Sequence, residues 1–114
     1  RKSLDDLIGC LMGKDRDRFE RELAKAGSFE RFVVVVEGSI QDIAGKLYHS
    51  AMSPHSVIQS ITAFFIRYGT PFLFAGSRDS AEYLTFSILQ KYYYEIEKRF
   101  KILSKEKETE KCHQ

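Results

Sequence analysis

The sequence predicts an α/β domain, and three observations carry that expectation. Two short apolar runs, residues 32–36 (FVVVV) and 72–75 (FLFA), lack the alternation of a half-wet strand and read as strands covered on both faces. Segments with apolar residues at helical spacing lie before, between and after them, each opened by a capping residue or closed by glycine. The resulting order (helix, helix, strand, helix, helix, strand, helix) is the alternation that parallel sheets with helical crossovers require.

In chain order, Ser3-Leu4-Asp5-Asp6 has the form of a capping box, opening a short helix through Leu7, Ile8 and Leu11 that stops at Gly13. Asp15 is positioned to cap a second helix, with Phe19 and Leu23 on its buried face and Gly27 at its end. The run 32–36 follows, stopped by Gly38, and Ser39-Ile40-Gln41-Asp42 forms a second capping box for a helix reaching about Tyr48. Ser53-Pro54 starts the next helix, since proline at the first helical position forfeits no hydrogen bond. Its apolar positions are Val57, Ile58, Ile61, Phe64 and Phe65, and it closes at Gly69, ahead of Pro71. Residues 72–75 make the second buried strand. Asp79, with Glu82 three residues on, is expected to cap a long helix to about Leu103, followed by a charged, frayed tail over 104–114. Two strands bury too little to form a doubly covered sheet, so strands preceding Arg1 are expected to complete it.

The 114 residues suit one domain, and 43% hydrophobic content supplies a core. A net charge of +2 permits nucleic-acid binding without arguing for it. Cys10 and Cys112 are too few for a cysteine zinc site and give no disulfide framework, which favours a reducing compartment. No apolar run is long enough to cross a bilayer, so no membrane association is expected. His49, His55 and His113 show no metal-ligand spacing, and the rings of Tyr92, Tyr93 and Tyr94 point in different directions, at least one into the core.

Several segments nonetheless carry a resemblance. Residues 1–7 (RKSLDDL) resemble the end of the E-R-K-x-x-x-D signature of XPF-type structure-specific endonucleases. Residues 31–38 (RFVVVVEG) resemble that family's central strand, 53–60 (SPHSVIQS) with 67–69 (RYG) its next helix, and 71–75 (PFLFA) with Arg78-Asp79 its last strand and helix start. The similarity covers about residues 1–100, in order.

The resemblance implies a restriction-endonuclease-like nuclease core, with a central mixed sheet flanked by helices over residues 1–103. It implies metal-dependent hydrolysis of DNA, in branched or flapped duplexes during repair or recombination, with Mg²⁺ or Mn²⁺ as cofactor. Lys2 matches the family's catalytic lysine, Arg1 its signature arginine and Asp6 its terminal aspartate. The main carboxylate ligands are expected upstream of Arg1. Asp6 is also where a carboxylate serves a helix N-terminus. Glu37, closing the central strand, is an auxiliary metal or phosphate ligand or else a cap or salt-bridge partner; Arg78 either contacts DNA phosphate or pairs with an acid. The resemblance further implies a homodimer through the nuclease domain, with residues 57–66 contributing to core and interface. The expected location is the cytoplasm of a bacterium or phage host, or the nucleus of a eukaryote. The alternative is an inactive nuclease-like module that binds DNA or a protein partner.

Overall fold

The computed structural model describes residues 1–29 and 31–112, with side chains through Glu106. The chain divides into two units, Arg1–Glu82 and a second from Tyr83 on.

The first unit is built around three parallel strands in the order β1-β2-β3: β1 (Lys2–Ser3), β2 (Val34–Glu37) and β3 (Phe72–Phe74). Lys2 lies opposite Val36 and Ser3 opposite Glu37, while Val34, Val35 and Val36 lie opposite Phe72, Leu73 and Phe74. The helices are α1 (Leu4–Gly9), α2 (Gly13–Ala26), α3 (Ile40–Ala44) and α4 (Pro54–Tyr68), and α5 (Arg78–Cys112) begins in this unit. The α/β class with helices flanking a central sheet is as expected, and the three described strands are parallel.

β2 is the covered central strand that its valine run indicated, with Val34, Val35 and Val36 all buried. Val34 and Val36 join one core with Leu7, Ile8, Leu11, Phe19, Leu23, Ile43, Val57 and Phe64. Val35, on the opposite face, is 3% exposed. Within that core Phe19 of α2 meets Phe64 of α4 and Phe72 of β3 edge-on, at centroid distances of 6.0 and 6.5 Å.

Several expectations need correction. A third strand is present: the polar pair Lys2-Ser3 has no strand signature of its own and is extended because β2 supplies its ladder. β3 is not fully buried, since as an edge strand it leaves Leu73 37% exposed and Phe72 and Phe74 half-buried. Beside it lies an apolar groove lined by residues including Ile40, Ile58, Phe65 and Leu73. α2 starts at Gly13 without a side-chain cap, leaving Asp15 in its first turn. α3 ends at Ala44, short of Tyr48. Asp79 does not cap α5; the Ser77 hydroxyl does, accepting the Ser80 N–H at 3.1 Å. α5 runs to Cys112, so the tail expected over 104–114 is helical that far, and His113 and Gln114 lie outside the described residues.

Other local readings are matched. Ser39 and Asp42 exchange both bonds of a capping box, Ser53 caps α4 ahead of Pro54, and Gly69 ends α4 with φ +66°, a left-handed conformation glycine takes without strain. At α1 only half of the expected box forms, with the Ser3 hydroxyl accepting the Asp6 N–H at 3.2 Å.

Candidate nuclease site at the carboxyl end of the sheet

Three parallel strands bring their carboxyl ends to one edge, where open α/β sheets gather functional groups. Glu37 ends β2 there, α1 leaves directly from β1, and α5 starts four residues after β3. The Ala75 N–H donates to the Val36 carbonyl (3.0 Å) and the Gly76 N–H to the Gly38 carbonyl (2.9 Å), fixing the turn into α5 against the end of β2.

Strand alternation sorts the charged residues at this edge. Arg1 and Glu37 share one face of the sheet, and Lys2 with Val36 takes the other. Arg1 is held at both ends: its Nε donates to Glu37 Oε1 at 2.9 Å and its Nη1 approaches Glu82 Oε1 at 3.1 Å. The same Glu82 oxygen accepts from Arg78 Nε at 3.3 Å. Two guanidinium groups and two carboxylates thus form a balanced chain running from β1 through β2 to the first turns of α5. The Glu37 side chain is only 18% exposed, so Arg1 offsets a charge that would otherwise be partly desolvated.

Lys2 stands apart from this chain. Its half-buried side chain places Nζ 5.7 Å from the centroid of the Phe19 ring, a cation–π approach on the α2 side of the sheet. Asp6 is exposed in the first turn of α1. The structure therefore joins Arg1, Glu37 and Arg78 into one network, and leaves Lys2 and Asp6 outside it.

Glu82 was read from the sequence only as a cap component, and its part in the network was missed. Its spacing from Arg78 is the i,i+4 pairing signal, but its contact with Arg1 has no local signature. A second missed pair lies beside the site: the Asp5 carboxylate accepts the His49 backbone N–H at 2.9 Å and faces the His49 ring Nδ1 at 2.9 Å. The backbone bond first, and the ring contact second, hold the Asp5 carboxyl below its ordinary value. A depressed folded-state pKa stabilises the fold above the unfolded carboxyl value, and that contribution is lost as pH falls through the folded one. His49→Ala removes the ring contact and keeps the backbone bond, so Asp5 should titrate closer to the ordinary value in an NMR titration; an unchanged midpoint would mean the imidazole contributes nothing.

Among the described residues no three His, Cys, Asp or Glu side chains converge as a divalent cation requires. Glu37, the candidate ligand, is engaged by Arg1 on the face opposite Lys2. The described residues do not by themselves make a Mg²⁺ or Mn²⁺ site.

A parallel α/β sheet with its charged residues gathered at one carboxyl edge defines a class of domain, and comparison with known proteins supplies the family. The ERCC4 domain model matches residues 1–86, and the chain belongs to the ERCC4 domain family, of restriction-endonuclease-like fold. That is the family of XPF-type structure-specific DNA endonucleases, so the resemblance in the sequence is borne out. Neither the comparison with curated proteins nor that with solved structures returned a match. No helix among the described residues is long and apolar enough to cross a membrane.

Proposed function

We propose that this domain is the nuclease module of a metal-dependent DNA endonuclease acting on branched or flapped duplexes in repair or recombination. The observation that carries the reading is the ERCC4 match over residues 1–86, which takes in β1 with Arg1-Lys2, β2 and β3. In this reading Lys2 presents its ammonium to the scissile phosphate, orienting the attacking water and stabilising developing negative charge. Arg1 acts indirectly: tied to Glu37 and Glu82, it fixes the β1 backbone from which Lys2 projects. Arg78, with a side chain 71% exposed, is available to a phosphate by exchange with Glu82. Asp6 supports the same edge from the start of α1. Mg²⁺ or Mn²⁺ dependence is part of the proposal, as a requirement met by ligands outside the described residues.

One observation favours a second reading, an inactive module that binds DNA or a partner: the absence of a converging ligand set among the described residues. Flap, fork and linear duplexes offered with Mg²⁺, with Mn²⁺ and with EDTA, to the domain within a protein that also supplies the metal ligands, separate the two. Metal-dependent nicking near the branch, abolished by EDTA, is the result expected of the nuclease. Salt-sensitive binding without nicking in either metal would establish the DNA-binding form of the second reading, and no binding at low salt would exclude the nuclease and leave only a partner-binding module.

A further inference from the structure

The charged chain at the carboxyl edge holds its two carboxylates on unequal terms. The Glu37 side chain is 18% exposed and takes Arg1 Nε at 2.9 Å, within the range of a strong charge-assisted bond. The Glu82 side chain is 49% exposed and is reached at longer range, 3.1 Å from Arg1 Nη1 and 3.3 Å from Arg78 Nε. Both of those contacts fall on one atom, Oε1. Two guanidinium groups, one ahead of β1 and one at the start of α5, thus converge on a single oxygen of the more exposed carboxylate.

Two arginines converging on one oxygen describe an anion site with a side chain inside it. Exposed ion pairs of this kind contribute little, so opening them costs little. Glu82 sits one turn into α5, where a change of rotamer carries its carboxylate into water and leaves the helix intact. Glu37 cannot leave as readily, because its charge is partly desolvated and Arg1 is its partner. It stays as the group that aims Arg1, whose Nη1 then faces the vacated position. Arg78, 71% exposed, turns its Nε to the same place.

Charge selects the ligand. With Glu82 turned away, two arginines and Glu37 leave a single positive charge, the complement of one phosphodiester in a nucleic-acid backbone. A terminal phosphate, at about −1.5 to −2, would exceed it. A phosphodiester also offers two unesterified oxygens, one for each guanidinium, where Glu82 makes both share one.

Resting on the nuclease reading, we propose that Arg1 and Arg78 form a subsite for a backbone phosphodiester of duplex DNA, which Glu82 occupies until DNA displaces it. The subsite lies on the Glu37 face of the sheet and Lys2 on the other, so it takes a phosphate flanking the one that Lys2 addresses. Arg1 makes this contact through Nη1, in addition to its support of β1 through Glu37.

Binding is measured without cleavage, by fluorescence anisotropy of a labelled linear duplex with the whole chain in EDTA over a range of salt. Glu82→Gln should tighten binding roughly three- to tenfold, the scale of two exposed ion pairs no longer competing. Arg78→Gln should weaken it by a similar factor and lower the salt slope by about one. In that background Glu82→Gln should gain less than it does in the wild type. Glu22→Gln, exposed on α2, removes the same charge and should leave affinity within about twofold. No tightening by Glu82→Gln, an equal gain from Glu22→Gln, or no binding by either the wild type or Glu82→Gln would overturn the proposal. A gain confined to duplexes bearing terminal phosphates would overturn the diester assignment. Failure of the nuclease reading shows separately, as absent nicking with either metal while this binding pattern remains.

Discussion

Phe64→Ala should lower the unfolding free energy by about 3–5 kcal/mol, enough to remove much of the stability of a small domain. The ring is fully buried and meets Phe19 edge-on at 6.0 Å and Tyr68 at a tilt at the same distance. The Arg16 guanidinium lies 4.7 Å from its centroid and is held there by bonds to the Ser60 hydroxyl and the Leu11 carbonyl. A truncated side chain would leave a cavity beside Arg16 and Phe19, where α2 and α4 are already tied together by that arginine and by the Glu20 carboxylate, which accepts from Tyr68 and Arg67. The neighbouring Phe65 is 45% exposed, so Phe65→Ala should cost well under half as much. Urea denaturation of the two variants makes the comparison; equal losses would mean that the α2–α4 contact is not where the core is held.

Lys2→Ala should reduce cleavage of a flap substrate on the order of 100-fold or more, the loss that follows removal of one stabiliser of developing charge. Its structural cost should be small, because the contact with Phe19 is a single partly exposed cation–π approach worth roughly 0.5–1 kcal/mol. Lys2→Arg keeps the charge but replaces a compact ammonium by a planar fork, so its rate should fall between the two. A variant Lys2→Ala that unfolds like the wild type and cuts at an undiminished rate would remove Lys2 from the mechanism.

What could be read from the sequence was what is encoded locally. The valine run of β2, the Ser39–Asp42 box, the Ser53-Pro54 start and the Gly69 stop each rest on neighbours within four residues, and all are present. Non-local partners set what was missed. Lys2-Ser3 becomes a strand only because β2 lies beside it, and Leu73 is exposed because β3 has a single neighbour in the sheet. At the site, Arg1, Glu37 and Arg78 were picked out one at a time, each with a salt bridge or solvent as its plain alternative. The structure resolves all three into one network whose fourth member, Glu82, owes its place to the approach of the α5 start to β1. Lys2 and Asp6 rest on the family pattern, as periodicity and charge alone do not distinguish them.

The sheet also bears on how the chain reaches this fold. Both ladders are parallel, and both join distant segments: Lys2 to Val36, and Val34 to Phe72. No hairpin is available to start either one, and strands of two, four and three residues offer few hydrogen bonds against the entropy of closing such loops. The helices between them, α1 with α2 and then α3 with α4, shorten those loops as they form and carry the apolar faces that draw the ends together. Folding of residues 1–82 should therefore proceed from helix pairing inward, with β2 trapped between its neighbours last, and a lesion in α2 or α4 should slow folding more than an equally costly one in β3.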